Sequence, residues 1–362
     1  MSAGSSKTTE AWQLFRKMLD DMTEVVESDA ENDLEKLEGL RAIGRAATLS
    51  LELNLDVDTD APRFYSMDTP SRFVGGPNPH GEYYLTMLDG RAAYRVHGER
   101  GTTTYLGFQV LAGRGLSPRR MATNVSDADL TVSSDGTFSF VLASTEPTSA
   151  ELAGDPWVEV PEDASALVVR EYIPDPDAER PARLQITPLQ APGPPITTDD
   201  SLAERLTAAA FTMAKLTTLH RTVMPGLLEK PNRFFPAEAD ELGSENTTPD
   251  NLYMLGSFRL ADDEALVIEL TPPDTRYWSV TLENVWHECL EPRRRRSSIS
   301  SAAAVARPDG TVRLVVSSRD PGAANWLDNG GRARGFITVR WLDNPSPPPV
   351  HTRVIPVAEA GD

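Results

Sequence analysis

The 362-residue sequence contains a single cysteine, Cys289, and therefore cannot form a disulfide within the chain. It also lacks a run of about 18 apolar residues, which is the length that a membrane-spanning helix requires. Its first residues lack the apolar segment of a secretory signal peptide. These absences predict a protein without a membrane span that resides in a reducing compartment, the cytoplasm.

Positive charge is also scarce, because 35 lysines and arginines stand against 54 acidic residues and leave a net charge of −19. Nucleic acids and anionic membranes bind cationic surfaces, so we expect no nucleic acid among the partners. Five histidines and one cysteine would have to converge from distant positions to hold a soft metal ion, and we expect no metal site. The motifs GxGxxG after a strand, GxxxxGK and GxSxG are absent, so no organic cofactor is expected.

Short alternating apolar runs and 29 prolines predict a mainly β protein with few helices. Helical spacing of apolar residues over 10–27 and 34–47 predicts an N-terminal helical hairpin, in which Asp29 caps the second helix. The predicted buried stripe of the second helix is Leu34, Leu37, Leu40, Ile43 and Ala47. Residues 201–222 predict a helix between two β domains. We expect the hairpin to pack on the body of the protein, and the alternative is a dimerisation arm.

Strand-like alternation recurs through two stretches of the chain, with tight turns between the runs. This spacing predicts two tandem antiparallel β-sandwich or jelly-roll-like domains. The predicted strands are 83–88, 92–97, 103–111, 130–133, 137–143 and 166–172, then 253–260, 265–270, 277–287, 312–317, 335–341 and 350–356. The predicted units are the hairpin at 1–60, the first β domain at 61–197, the linking helix at 198–226 and the second β domain at 227–362.

The second β segment repeats the landmarks of the first in the same order. The matching residues are Pro79 and Pro249, Asp135 and Asp309, and Arg170 and Arg340, which are separated by 170, 174 and 170 residues respectively. Landmarks in one order at nearly one spacing predict a duplicated domain. Clefts between such domains are common ligand sites.

Aromatic and ionisable residues are densest in residues 276–289, which read RYWSVTLENVWHEC. Apolar and polar residues alternate, so we expect one face of a strand in a core and Glu283 and His287 on the other face. These two residues would lie about 13 Å apart on a straight strand, too far to pair unless a bulge near Asn284 shortens the distance. The first repeat has Leu111-Ala112-Gly113-Arg114 at this point, so a function of the strand's own would lie in its second half.

Glu283, His287 and His80 are the candidate catalytic residues, because carboxylates and imidazoles donate and accept protons. His80 follows a proline-rich turn at the mouth of the first β domain. A structural role stays open for each histidine. His80 would then be an exposed turn residue, and His287 would bond a backbone carbonyl at a strand end.

Aromatic and polar residues near the strand 276–288 would hold a ligand. The candidate ligand-binding residues are Tyr84, Trp278, Trp286, Asn284, Arg293 and Arg294. The tryptophans could line an apolar pocket or belong to the cores. Arg293 and Arg294 open a dense basic run that could clamp an anionic group bidentately, or could form a solvated loop paired with acidic residues. The isolated strand arginines Arg170 and Arg340 are expected to pair with carboxylates.

Two acidic strings look like the magnesium-binding motifs of prenyl-diphosphate and carbocation chemistry, residues 20–24 (DDMTE) and 56–60 (DVDTD). Paired carboxylates can hold Mg²⁺ or donate a proton. A chain with 54 acidic residues also produces such strings by chance. The alternative is a solvated helix face and an acidic turn.

The C-terminal half carries a further pattern. Residues 276–288 are followed by Asp309-Gly310, by Asp320-Pro321 with Asn325-Trp326-Leu327, and by residues 336–340, FITVR. This succession resembles DUF1214, a bacterial domain family of unknown function that is often paired with DUF1254, and the resemblance covers most of residues 62–356. It implies β-sandwich or jelly-roll modules and a loose association with the catabolism of hydrophobic compounds, and it implies no catalytic residues.

We therefore expect a cofactor-independent acid–base enzyme that binds a hydrophobic or anionic small molecule of lipid, steroid or terpenoid type in an aromatic-lined pocket. One alternative is a non-catalytic small-molecule-binding or scaffold protein. Another is a magnesium-dependent cyclase that handles diphosphates through the acidic strings. The sequence leaves open whether the protein forms a homo-oligomer.

Overall fold

The computed structural model describes residues 6–69, 72–113, 119–191, 197–237, 242–243, 247–343 and 345–361. The helices are α1 (Lys7–Asp29), α2 (Asp33–Asn54), α3 (Ser149–Leu152), α4 (Asp199–Thr217) and α5 (Leu219–Thr222), with 3₁₀ turns at Leu227–Glu229 and Val357–Glu359. The strands of the first repeat are β1 (Tyr65–Ser66), β2 (Gly81–Met87), β3 (Tyr94–Glu99), β4 (Tyr105–Ala112), β5 (Arg120–Val125), β6 (Thr137–Ala143), β7 (Trp157–Glu159), β8 (Ala164–Tyr172) and β9 (Arg183–Pro188). The strands of the second repeat are β10 (Arg233–Ala237), β11 (Asn251–Arg259), β12 (Glu264–Leu270), β13 (Trp278–Glu283), β14 (Ser298–Ser300), β15 (Val312–Ser317), β16 (Trp326–Asp328), β17 (Arg334–Leu342) and β18 (Val350–Pro356).

The strands form two sheets in each half of the described chain. The strand orders are β1-β2-β8-β4-β5 and β7-β6-β3-β9 in the first half, and β10-β11-β17-β13-β14 and β16-β15-β12-β18 in the second. Each strand of the second half thus takes the place of the strand nine positions earlier. Pairing is antiparallel apart from β6 with β7 and, equivalently, β15 with β16. The predicted fold of two tandem β-sandwich domains is confirmed.

The register of the central strands reproduces the repeat residue by residue. The equivalent pairings are Arg170 with Tyr83 and Gly107 in the first domain, and Arg340 with Tyr253 and Ser279 in the second. The two arginines are separated by the same 170 residues that separate the landmarks in the sequence. The limits of the four predicted units along the chain stay predictions.

Each domain buries a core between its two sheets. In the second domain the core includes Trp278, Val280 and Leu282 of β13 and Ile337, Val339 and Trp341 of β17. Since side chains alternate along a strand, the intervening residues of β13 and β17 lie on the outer face of the five-stranded sheet. That outer face is also buried, because both strands are buried at every residue. The helices and a segment of the first domain cover it.

Three helices, α1, α2 and α4, pack together on the second domain. Their shared core contains Phe15, Val26 and Met213 and, from the second domain, Trp286. Gly39 permits the close packing of α2, because a Cβ at this position would lie 2.7 Å from the indole of Trp286. The predicted packing of the hairpin on the body of the protein is therefore observed. In the described part of the chain, none of the helices combines the length and the apolar character needed to cross a membrane.

The face of α2 that packs inward differs from the predicted one. The leucines of the predicted stripe, Leu34, Leu37 and Leu40, are 41%, 66% and 37% exposed. Glu35 and Glu38 are buried instead, where Glu35 pairs with Arg334 at 2.7 Å and Glu38 pairs with Arg332. The prediction is wrong at these three leucines, whereas Ile43 is buried and Ala47 packs against the helical core as predicted. The ion pairs of Glu35 and Glu38 join arginines 299 and 294 positions away, and a pattern of apolar residues cannot reveal them.

Several predicted boundaries also differ. Asn32 rather than Asp29 caps α2, since its side chain accepts a hydrogen bond from the amide three residues later. Residues 130–133 form no strand, and the predicted strand 277–287 ends at Glu283. The strands that the sequence did not predict are β1, β5, β7, β9, β10, β14 and β16. Of these, β1, β7, β14 and β16 span two or three residues, too few for alternation to stand out.

Candidate active site

The strand β13 ends at Glu283, and the chain then reverses within four residues. Oδ1 of Asn284 accepts hydrogen bonds from the amides of Trp286 and Glu288, both at 3.0 Å. The amide of Asn284 donates to the carbonyl of Glu288 at 2.9 Å. His287 has a φ of +56°, a left-handed conformation that costs a residue with a Cβ of order 1 kcal/mol. This turn places the His287 side chain back over the end of the strand.

The reversal brings the two predicted catalytic residues of this stretch into contact. Nδ1 of His287 lies 2.8 Å from Oε2 of Glu283, so the separation of about 13 Å for a straight strand does not apply, and the chain shortens it at Asn284, where a bulge was left open. Oγ1 of Thr338 donates to the other carboxylate oxygen at 2.7 Å. Glu283 is fully buried, and His287 is 5% exposed. The pair is therefore shielded from bulk solvent.

The electrostatics of the pair favour an ionised carboxylate. Burial alone would raise the pKa of Glu283, but the hydrogen bond from His287, the charges of His287 and Arg340 and the hydrogen bond from Thr338 outweigh it, so the pKa lies below its ordinary value. An ionised carboxylate only accepts hydrogen bonds, so Nδ1 of His287 carries a proton. In the neutral ring Nε2 presents a lone pair, and Nε2 has no hydrogen-bond partner among the described residues. The ring lies flat on Phe336, with centroids 4.1 Å apart.

A glycine of the first domain covers the pair. The amide of Gly76 donates to the carbonyl of His287 at 2.9 Å, and its own carbonyl accepts from Nη2 of Arg340 at 2.6 Å. A Cβ on Gly76 would lie 3.6 Å from the Glu283 carboxylate, and the residue has a φ of +68°. The carbonyl of Pro77 accepts a hydrogen bond from the Cys289 thiol at 3.3 Å. The site therefore lies between the two domains.

Arg340, rather than the basic run, is the arginine that contacts this segment. It is 4% exposed, its Nη1 has no hydrogen-bond partner among the described residues, and it forms no ion pair with a described carboxylate. The expectation that Arg340 pairs with a carboxylate was therefore wrong. Arg293 and Arg294 are exposed, and Arg295 pairs with two acidic residues of its surroundings.

An open cleft of about 540 Å³ begins beside Trp286. Its apolar wall includes Leu227, Leu228 and Val285, and its polar wall includes His220, Asp29 and Arg334. Nε2 of His220 lies 2.7 Å from Oδ2 of Asp29, whose carboxylate also accepts two hydrogen bonds from Arg221. The His220 ring contacts the Trp286 ring edge to face, with centroids 4.8 Å apart.

The cleft thus contains a second histidine–carboxylate pair. Burial lowers the pKa of His220 more than the Asp29 carboxylate raises it. Nδ1 of His220 is buried and has no hydrogen-bond partner in the described part of the chain. A protonated His287 ring would lower the pKa of His220, so the two imidazoles are close enough to interact. His287 itself does not line the cleft, although the residue before it does.

Comparison with known proteins places these residues in a family. An uncharacterised protein from Burkholderia cenocepacia has a crystal structure that matches with a TM-score of 0.89 and 30% sequence identity, covering 96% of this chain and 97% of that one. The family model described as "Protein of unknown function (DUF1214)" matches residues 260–346. The chain belongs to the DUF1214-type family.

A second solved structure resembles this DUF1214 protein in fold alone. The VPA0106 protein from Vibrio parahaemolyticus matches with a TM-score of 0.51 and 13% identity, covering 87% of this chain and 98% of that one. No curated protein matches the chain. The matched DUF1214 range contains Glu283, His287 and Arg340, whereas Gly76 and His220 lie outside it.

The other predicted site residues of this DUF1214 protein do not meet at the His287–Glu283 pair. Trp278 lies in the core of the second domain, and Tyr84 packs against the core of the first. Asn284 shapes the turn, and Trp286 anchors the helices through a hydrogen bond to the carbonyl of Glu35. Strand alternation places Trp278 in the core. The turn after Glu283 places Asn284 and Trp286, and the prediction of a straight strand did not include this turn.

His80 lies in the same first-domain loop as Gly76. Burial and the charge of Arg340 lower the pKa of His80 to about 4, so its ring is neutral near pH 7. Nε2 of His80 is buried without a hydrogen-bond partner among the described residues. The ring therefore belongs to the buried surroundings of Arg340 and does not form a hydrogen bond with Glu283.

Sequence reasoning missed four side chains of this region. Thr338 and Phe336 are ordinary strand residues, and no local pattern distinguishes them. Asp29 and His220 are 191 residues apart, and only packing of α1 against α5 joins them.

The acidic strings lie at the surface. Asp20 and Glu24 are exposed on α1, and Asp21 pairs with Lys17 at 2.6 Å. Oδ1 of Asp58 accepts hydrogen bonds from the amides of Asp60 and Ala61. No group of three or more metal-ligating side chains occurs among the residues that the structure describes.

Proposed function

We propose that the protein is an acid–base enzyme that acts without an organic cofactor on a hydrophobic or amphipathic small molecule, with His287 as its base. The observation that carries the proposal is the buried His287–Glu283 pair, in which Nδ1 is fixed by the carboxylate and Nε2 has no partner among the described residues. Unpartnered buried polar atoms are uncommon in native proteins, and a catalytic role is one of the explanations for them.

The chemistry of the pair suits proton transfer. The Glu283 carboxylate holds the ring in one tautomer and orientation, and it stabilises the imidazolium that forms when Nε2 takes a proton. Phe336 restricts the ring from one side. The strained backbone of His287 supports the same conclusion, because such strain concentrates at functional sites.

The cleft beside Trp286 supports the choice of substrate. Its volume of about 540 Å³ falls in the range of small-molecule sites, roughly 300–1,000 Å³. An apolar wall next to ionic groups and His220 suits a molecule with an apolar body and a polar end. Because His287 lies behind Trp286 and does not line the cleft, a non-catalytic binding protein is the alternative that this geometry favours.

Hydrogen–deuterium exchange tests the proposal without a known substrate. The purified protein is incubated in D₂O with a panel of amphipathic carbonyl compounds that carry an acidic C–H bond, and mass spectrometry follows deuterium uptake and any product. We expect at least one compound to exchange, and we expect His287→Gln to slow the exchange by about 100-fold or more. The matched control is His351→Gln, an exposed histidine on the strand β18.

Two outcomes would overturn the proposal. Binding of panel compounds without any time-dependent mass change would support the non-catalytic alternative. Equal exchange rates in the wild type and in a folded His287→Gln protein would remove His287 from the chemistry.

A further inference from the structure

The guanidinium of Arg340 is a buried charge with few partners. Arg340 lies on β17 between the core residues Val339 and Trp341, so its side chain points to the outer face of the sheet. Among the described residues, the guanidinium of Arg340 makes one hydrogen bond, in which Nη2 donates to the carbonyl of Gly76 at 2.6 Å. Guanidinium has five donors, and a buried charge is normally matched by several hydrogen bonds and a counter-charge.

Two of the neighbouring acceptor groups, Glu283 and Tyr277, are already engaged. The carboxylate of Glu283 accepts from His287 with one oxygen and from Thr338 with the other. The hydroxyl of Tyr277 accepts from the side-chain amide of Asn78 at 2.7 Å. Nη1 of Arg340 is thus left without an acceptor in the described part of the chain.

Three more buried polar atoms on the same face lack partners among the described residues, Oγ of Ser279, Oγ1 of Thr281 and Nε2 of His287. Thr281 pairs in register with Thr338, which bonds Glu283, and His287 stacks on Phe336. The residues 336, 338 and 340 follow one another on one face of β17, at steps of roughly 6.6 Å.

The unpartnered groups therefore extend along roughly 13 Å of the sheet. Both ends of this stretch touch Gly76, which bonds Arg340 through its carbonyl and His287 through its amide. Nη1 of Arg340 offers a cationic donor, Thr281 offers a hydroxyl, and Nε2 of His287 offers a lone pair. A monoanion that carries a transferable proton would match all three.

We propose that Arg340 binds the carboxylate group of the substrate, so that the substrate class is an amphipathic organic carboxylate. The proposal rests on the proposed function in one respect, since it takes His287 to act on the same molecule. A carboxylate accepts hydrogen bonds from a guanidinium and a hydroxyl together. Because the ionised Glu283 already lies near Arg340, a group with one negative charge suits the site better than a phosphate dianion.

Binding measurements at pH 8 test this substrate class. The probes are hexanoate, octanoate and 3-phenylpropanoate, each with its primary amide, together with inorganic phosphate. We expect the wild-type protein to bind at least one carboxylate tenfold or more tightly than its amide, by calorimetry and by the shift in Tm. Phosphate should bind more weakly than that carboxylate.

Variants test whether the carboxylate of the bound probe lies at Arg340. Arg340→Lys keeps the charge but loses the planar pair of donors, and it should weaken carboxylate binding tenfold or more without changing amide binding. Arg353→Gln, on the edge strand β18, is the matched control and should bind as the wild type does. Equal binding of acids and amides by the wild type would overturn the proposal even if Arg340→Lys did not fold.

A double change, Arg293→Gln with Arg294→Gln, distinguishes the exposed basic run. Loss of carboxylate binding in this variant, with binding kept in Arg340→Lys, would assign the anion to the loop and overturn the proposal. Exchange measured with His287→Gln and binding measured with Arg340→Lys separate the two proposals. Binding that depends on Arg340, without exchange in any protein, would refute the enzyme and keep the carboxylate site. Exchange of neutral compounds at a rate that Arg340→Lys leaves unchanged would keep the enzyme and refute the carboxylate site.

Discussion

The two repeats share a topology and differ in polarity at one place on the buried outer face of the five-stranded sheet. In the first repeat Leu111 pairs in register with Ala166, and in the second Glu283 pairs with Phe336. The neighbouring positions are Val168 in the first repeat and Thr338 in the second. The same place in the fold is thus apolar in one domain and polar in the other.

Different elements cover this position in the two domains. Leu111 and Val168 pack against Leu49 and Leu53 of α2. Glu283 instead lies under Gly76 of the first domain, beside His287. A hydrophobic contact is sufficient for the scaffold, so the buried polar pair in the second domain is not required by the fold.

The comparison also separates the roles of the two arginines. Arg170 and Arg340 hold equivalent positions opposite Tyr83 and Tyr253. An arginine at this position is therefore common to both repeats. What is specific to the second repeat is the combination of Arg340 with an adjacent histidine–carboxylate pair.

The strongest test of the comparison places a carboxylate at the apolar position. Leu111→Glu should lower the free energy of unfolding by more than about 4 kcal/mol at pH 8, because the buried charge would have no partner. Urea unfolding measures the effect, and Leu111→Met is the control, with an expected loss below about 1.5 kcal/mol. A small loss for both variants would show that the position tolerates charge and that the polar pair needs no functional explanation.

Buried glutamates in the two repeats should respond oppositely to pH. Burial is the main cause that raises the pKa of Glu171, in β8, from 4.5 to about 7, whereas the pKa of Glu283 lies below its ordinary value. The neutral form of Glu171 is favoured in the folded protein, so its contribution to stability is full below pH 4.5 and is lost as the pH rises through 7. Glu171→Gln should therefore stabilise the protein at pH 8, by up to about 3 kcal/mol.

The ionised carboxylate of Glu283 should stabilise the folded protein at pH 8, whereas that of Glu171 should destabilise it. Its folded pKa is depressed, so its contribution is present above the unfolded value of about 4.5 and is lost as the pH falls through the folded value. Glu283→Gln should therefore destabilise the protein at pH 8. Urea unfolding at pH 5 and pH 8 measures both variants, and the same sign of change for the two at pH 8 would contradict the assignment.

The smallest effect is expected where the repeats are alike. Gly136 and Gly310 occupy equivalent turns with φ of +86° and +83°, and nothing lies within 4 Å of a Cβ at either position. Gly136→Ala and Gly310→Ala should each cost about 1 kcal/mol, because only backbone strain is added. Thermal unfolding should give values within about 0.5 kcal/mol of each other, and a larger difference would mean that the two turns are not equivalent.

Much of the fold could be predicted from the sequence, because duplication and strand alternation are local and repeated signals. The strand β6 and the strand β15 were predicted with their observed bounds. The turn after Glu283 could not be predicted, since it depends on Asn284 and on a left-handed histidine. The burial of Glu35 and Glu38 on α2 was missed, because a pattern of apolar residues cannot reveal ion pairs.

The continuation of the first repeat, Leu111-Ala112-Gly113-Arg114, ends outside the described residues at Arg114. Its described part is consistent with an apolar scaffold at this position, and the carboxylate and histidine of the second repeat have no counterpart there. The sequence therefore located the divergence between the repeats but not its geometry.

The sequence by itself determined the two β domains, their shared topology and the stretch in which they diverge, because each is encoded by residues that are near one another or regularly repeated. Only the tertiary structure decided that His287 bonds Glu283, that Gly76 covers them and that Arg340 lies buried beside them. These contacts join residues up to 264 positions apart, and a strained turn places the histidine. No local pattern encodes such contacts, since they exist only once the two domains have packed together.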